Sequence, residues 1–232
     1  YEFNDQTMAV MVSEYCENGT IKNFIRSKKS DTFSQKMNDT RRLICIYGIA
    51  SAMKYLHSHK IVHGCLKPSN ILLDEFFHPK INDFCPTKKT EFDDLTVPYM
   101  APEVIDKNVF SQQADVYSFG IIVHEILTGK RPDLFKELEL PEKVPNSYRS
   151  LITGCLEFDP NQRLTFAEIE KLLRNDKSFL TEEINEDEFL QFCDFLDFSQ
   201  KEKVTVFKVN SKPIDLKYFK IEELINKGTI SN

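Results

Sequence analysis

Tryptophan is absent from the 232 residues, and only seven are glycine. None of the seven precedes position 19, and no G-x-G-x-x-G run occurs. The chain therefore carries no glycine-rich phosphate loop of that type. The six cysteines (16, 45, 65, 85, 155 and 193) form no C-x-x-C pair, and the polar opening "YEFNDQ" is no secretory signal. Free thiols in a reducing, intracellular compartment are expected, most simply the cytoplasm. No apolar run approaches the ~18 residues of a membrane span. The longest, "FGIIVHEIL", is too short and carries Glu125. Basic residues are outnumbered, 30 against 36, for a net charge of −6. That argues against nucleic acid as a partner of the whole chain. What the chain has is apolar bulk. It is 41% hydrophobic with nineteen phenylalanines, enough for one packed core with a small appendage.

Periodicity places the elements. "MAVMVSEYC" (Met8–Cys16) reads as a buried strand that stops at the polar "ENG". "TIKNFIRSKK" reads as a short helix with Thr20 as N-cap. Over 41–57, Leu43, Ile46, Ala50, Met53 and Leu56 recur at three- and four-residue steps, the mark of one helical face. "ILL" and "KIND" read as short strands joined by the turn-prone "DEFFHP". Residues 114–129 are apolar nearly all round and predict a central buried helix, with Gly129 as its C-cap. Pro132, Pro141 and Pro145 mark a loop-rich stretch. "SYRSLITGCLEF" and "TFAEIEKLLR" read as helices, the second with Thr165 and Glu168 at capping-box positions. After Arg174 the composition turns acidic and phenylalanine-rich. Phe189, Phe192 and Leu196 share a helical face, "KVTVFKV" reads as a strand and "IDLKYFKIEELINKG" as a helix.

Four short motifs follow in order: "HGCLKPSN" (63–70), "DFC" (83–85), "APE" (101–103) and "DVYSFG" (115–120). With a hairpin between the first two, the series resembles the catalytic loop, metal-binding turn, A-P-E and central-helix signatures of eukaryotic protein kinases. "LKPSN" and "TVPYMAPE" are similar to the serine/threonine branch. The resemblance covers about residues 8–174. It implies a mainly α fold with a small β component: a kinase-like hinge and C-terminal lobe, the N-terminal lobe largely missing. Residues 175–232 would form an acidic helical extension.

By position, the resemblance implies that Asn70 and Asp83 hold magnesium on the phosphates of ATP, as an amide oxygen and a carboxylate would. It implies that Lys67 meets the charge of the transferred group and that Thr96 lines the substrate side. The backbones of Glu14 and Cys16 would pair with adenine, with Ser13 at the gate and Ile21 and Leu72 against the ring. His63 and Phe84 would stack on the central helix, Asp115 would anchor the catalytic loop, and Glu103 and Arg163 would form a buried ion pair.

The departures matter as much. Cys65 stands where the resemblance calls for the catalytic aspartate, and Gly64 replaces the adjacent arginine. A thiol ordinarily titrates near 8.5, so it is a poor proton acceptor at neutral pH. Cys85 and Leu95 occupy positions of expected glycines. A soft-metal or redox pair of Cys65 and Cys85 explains those changes less simply than drift after loss of catalysis. The reading is a catalytically impaired pseudokinase acting as a regulatory or interaction module. The alternatives are a serine/threonine kinase active only with its N-terminal lobe, and a non-functional fragment. Binding of ATP and Mg2+ is expected to be weak or absent in this chain. A protein partner or the missing lobe is expected to cover the hinge face.

Overall fold

The spaced apolar residues of 41–57 become the buried seam of a 20-residue helix, α2 (Asp39–Ser58). It starts two residues earlier than its apolar pattern. The Asn38 side chain accepts a hydrogen bond from the Arg41 N–H at 2.8 Å and caps the first turn. The computed structural model describes residues 2–3, 6–7, 14–26, 37–84, 96–131 and 138–201. Two units are distinct by their internal contacts. In the first, β1 (Glu2–Phe3) and β2 (Gln6–Thr7) pair antiparallel, Glu2 opposite Thr7. The rest of this section concerns the second unit, Tyr15–Lys201.

That unit is mainly helical. The remaining described helices are α1 (Ile21–Arg26), α3 (Pro102–Lys107), α4 (Gln112–Thr128), α5 (Asn146–Cys155), α6 (Phe166–Asn175) and α7 (Glu186–Lys201). The small β component is a hairpin of β3 (Ile71–Leu73) and β4 (Pro79–Ile81), with Leu72 opposite Lys80. Asp74 closes the turn between them, its carboxylate accepting the N–H groups of Phe76 and His78 at 3.0 and 2.9 Å. Phe77 in that turn sits at φ 66, a left-handed conformation costly for a side chain of its size. Its ring is buried edge-on against Phe24 at 5.1 Å, which offsets the strain.

α4 is the axis of the core. From Ala114 to Ile126 every residue except Tyr117 is buried. Ser111 caps its start by accepting from Ala114 N–H, and Gly129, at φ 69, ends it in the left-handed conformation. α6 has the expected capping box, with Thr165 and Glu168 bonded reciprocally. α2 packs on α6, α4 and α7, and α4 packs on α5.

The core does not stop near Arg174. α7 folds back onto α2, with Phe189, Phe192 and Cys193 at 4% exposure or less and Leu196 packed beside them. Tyr47 of α2 meets Phe189 and Phe192 edge-on at 5.4 and 6.3 Å. The acidic residues take the outer face, and Arg174 pairs with Asp194 and Asp197. Half of the phenylalanine stripe stays outside: Phe195 and Phe198 are exposed. The sequence readings for 8–13, "KVTVFKV" and "IDLKYFKIEELINKG" fall outside the described residues, and Glu14–Cys16 lies in no strand.

One close approach sets the distance of α2 from β4. A Cβ at Gly48 would lie 2.6 Å from Pro79 Cγ and 3.1 Å from Phe192 Cζ. Propensity alone would favour alanine here by up to about 1 kcal/mol. The clash is with a rigid ring, so overpacking outweighs that gain. Gly48→Ala is expected to destabilise by about 1–3 kcal/mol, read as a lower urea midpoint at unchanged slope.

Candidate active site

The loop 63–70 is held from behind by a buried carboxylate. Asp115, 1% exposed on α4, accepts hydrogen bonds from His63 N–H at 2.9 Å and Gly64 N–H at 2.8 Å. The same carboxylate meets Nε2 of His57 at 2.9 Å, at the end of α2. Gly64 sits at φ 72, a conformation that glycine adopts without strain.

His63 is a packed structural residue. Its Nδ1 accepts from Cys65 N–H at 3.2 Å, which leaves Nε2–H to donate to Asn82 O at 3.0 Å. Phe84 stacks on it at 4.8 Å. Burial lowers the pKa of His63 against the opposing pull of Asp115. The ring is thus kept neutral, as its one-donor, one-acceptor bonding requires.

Through Asn82 the loop 63–70 is tied to the end of β4. Asn82 N–H also donates to Asn70 O at 2.9 Å. The Asn70 side chain is buried and gives its amide to Cys65 O at 2.8 Å and, more weakly, to Asp83 O at 3.4 Å. Its oxygen accepts only a long hydrogen bond from Ser69 Oγ at 3.4 Å, which leaves it a lone pair for a cation. Asp83 sits at φ 56, exposed, and its carboxylate accepts no hydrogen bond from the described residues. A strained backbone locked by Asn70 and Asn82, with a carboxylate left open, suits a metal ligand. The donor set fits Mg2+: a neutral and an anionic hard oxygen on adjoining segments.

Lys67 donates from Nζ to Thr96 Oγ1 at 2.7 Å. Thr96 is buried and begins the turn Val97–Tyr99. That turn is fastened to α4: Ser118 Oγ donates to Tyr99 O at 2.6 Å and Tyr99 Oη to Glu125 Oε2 at 2.5 Å. Cys65 is half-buried at the centre of this group, between His63 and Asn70.

The segment Tyr15–Thr20 leads into α1, its end running along β3. Asn18 N–H donates to Leu73 O, Leu73 N–H to Gly19 O, and Thr20 bridges Leu72. This places Asn18, Gly19 and Thr20 beside Leu72 and Leu73. Ile21 is wholly buried and belongs to the core, so it offers no surface to a ring, while Leu72 is half-buried. Ser13, Cys85 and Leu95 fall outside the described residues.

Behind the site, the Glu103–Arg163 pair is bidentate at 2.6 and 2.8 Å, and Arg163 is sealed from solvent. Arg163 also donates to the carbonyls of Glu157 and Gln113. Sequence reading found Asp115, Glu103 and Arg163 but missed His57, Ser118 and Glu125. The signal for the last two was present as polar residues inside an apolar run, which at burial must bond something.

Two outcomes follow. Arg163→Leu strands the Glu103 carboxylate and two carbonyls, and should cost about 3–5 kcal/mol in chemical denaturation. Burial also lowers the pKa of His63, His78 and His124. Below about pH 6.5 the unfolded chain takes up protons that these rings refuse. Stability is therefore full above that pH and should fall as the pH drops toward 5, checked by urea midpoints across that window.

Comparison with known proteins agrees with this geometry. The sequence model of the family described as protein tyrosine and serine/threonine kinase matches residues 3–173. A probable serine/threonine-protein kinase of Dictyostelium discoideum is 34% identical over 183 residues, covering 70% of this chain and 14% of that protein. Dual specificity protein kinase pyk3 of the same organism is 34% identical, covering 72% and 14%. Its serine/threonine-protein kinase atg1 is 32% identical, covering 71% and 27%. The chain thus spans about a seventh to a quarter of the length of these relatives. Among the described residues no helix is long and apolar enough to cross a membrane.

Proposed function

The chain belongs to the protein kinase family, and from that premise we propose that it is a pseudokinase: a kinase-like module, impaired in phosphoryl transfer, that acts in signalling by binding. The observation that carries this reading is Cys65. It lies between His63 and Asn70, bonded to both through its backbone, and it presents a thiol where the family resemblance calls for a carboxylate. Magnesium-bound ATP, when bound, would supply the phosphoryl group and the charge neutralisation that its transfer needs. The Asn70 oxygen and the Asp83 carboxylate would hold the metal. Lys67, steadied by Thr96, would face the charge of the transferred group. The missing act is acceptance of the proton from a substrate hydroxyl. A neutral thiol neither orients that hydroxyl nor takes its proton, which corresponds to a loss of about 10²–10⁴ in rate.

Binding is supported by the surface. Tyr15, Ile61 and Phe84, on the hinge and loop segments, are each more than 40% exposed. These are the apolar side chains that a protein partner or a further lobe would cover.

A serine/threonine kinase is the second reading, favoured by the Lys67–Thr96 contact at 2.7 Å and the open Asp83 carboxylate. Labelled-phosphate transfer by the full polypeptide separates the two. The unaltered protein is expected near background, and Cys65→Asp should raise the rate at least about 10²-fold. Robust transfer by the unaltered protein, abolished by Asp83→Ala, would establish the second reading instead.

A further inference from the structure

The tip of the β3–β4 hairpin and the outer face of α7 carry a row of aromatic rings. Phe76 lies 5.8 Å from His78, and His78 lies 6.0 Å from Phe195, both at shallow tilts. Phe198 continues the row one turn further along α7. His78 also stacks at 4.5 Å on the buried ring of Phe192, so the row is founded on the core. Phe76, Phe195 and Phe198 are 65%, 54% and 64% exposed. The inner stripe of α7 already secures the helix on α2, so packing does not explain the outer rings. Single exposed apolar side chains are ordinary, but a contiguous row marks a docking surface.

The rim has one sign. Glu75 precedes Phe76 at the hairpin tip. Glu188 lies two helical turns before Phe195 on the same face, close enough to act on His78, and Asp187 lies beside it. All three are exposed and make no ion pair among the described residues. The neighbouring cations are committed: Lys80 faces Asp74 at 3.7 Å, Arg174 holds Asp194 and Asp197, and Lys177 holds Glu186. Whatever covers the row must bring apolar side chains and positive charge together. A second copy does not, because the face turned on itself about a twofold axis sets these carboxylates against each other. The rings also offer only about 350 Å2, against about 800 Å2 per partner in a stable dimer.

We propose that this face docks one basic, amphipathic helix of a partner protein. The apolar stripe of that helix lies across Phe76, Phe195 and Phe198, where the one-turn spacing on α7 offers a ridge for helix-on-helix packing. Lysines or arginines beside the stripe meet Glu75, Asp187 and Glu188. The surface uses none of the residues of the cleft, and it serves whether or not the chain transfers phosphate.

The test is fluorescence anisotropy of a labelled peptide titrated with the whole protein. The peptide is built of leucine, lysine and alanine, with leucines at three- and four-residue steps, and is about 18 residues long so that it forms a helix by itself. A second peptide carries glutamate in place of each lysine. Saturable binding of the basic peptide is expected, at least about tenfold tighter than of the acidic one and weaker as salt rises. Phe76→Ser with Phe198→Ser, both at exposed positions, should leave the urea midpoint nearly unchanged and weaken the basic peptide at least about tenfold. Glu75→Gln with Glu188→Gln should weaken the basic peptide and narrow its lead over the acidic one. Asp83→Ala and Cys65→Asp should leave peptide binding unchanged, so failure of the pseudokinase reading and failure of this one are told apart. No binding of the basic peptide, equal binding of the two, or binding that survives the phenylalanine change would overturn the proposal. So would a dimer in sedimentation that the phenylalanine change dissociates, which gives the face to a second copy. Uptake by phosphatidylcholine vesicles that the same change abolishes would overturn it in favour of a lipid surface.

Discussion

One buried carboxylate organises the molecule. Asp115 lies on the helix around which the core is built and reaches two successive N–H groups of the loop that carries Cys65. A carboxylate without access to water must be fully bonded, so the loop has no freedom to leave it. Everything at the cleft is positioned in relay from there. The His63 ring is oriented by the N–H of Cys65, and it fixes Asn82. Asn82 fixes Asn70 and the strained turn at Asp83.

The same helix holds the far wall. Ser118 and Glu125 fasten the segment after Thr96, which in turn receives Lys67. α4 is therefore an apolar rod whose few polar side chains point at the functional segments. The bonds of this relay that pass through Cys65 run by its N–H to His63 and its carbonyl to Asn70.

The acidic, phenylalanine-rich stretch after Arg174 shows how composition can hide packing. Its charge suggests a solvated appendage, and its outer face is one. Yet the spacing of Phe189, Phe192 and Leu196 lets α7 bury a full stripe on α2 while the acids face water. Gly48 completes that arrangement by leaving room for both Pro79 and Phe192. No local pattern in the sequence announces that contact, since it joins residues over a hundred positions apart.

The sequence by itself determined the order of the elements, the capping of α4 and α6, the hairpin and the family. It also showed a thiol, Cys65, inside the first of the motifs that point to that family. These are local: periodicity, turn chemistry and short motifs are read within a few residues. Only the tertiary structure decided that His57 shares Asp115 with the loop, that Ile21 is core and not cleft, and that α7 belongs to the same packed unit. It alone brought Phe76, His78 and Phe195 into one row. Each of those depends on which distant segments meet, and burial then fixes which polar groups must find partners and which are left open.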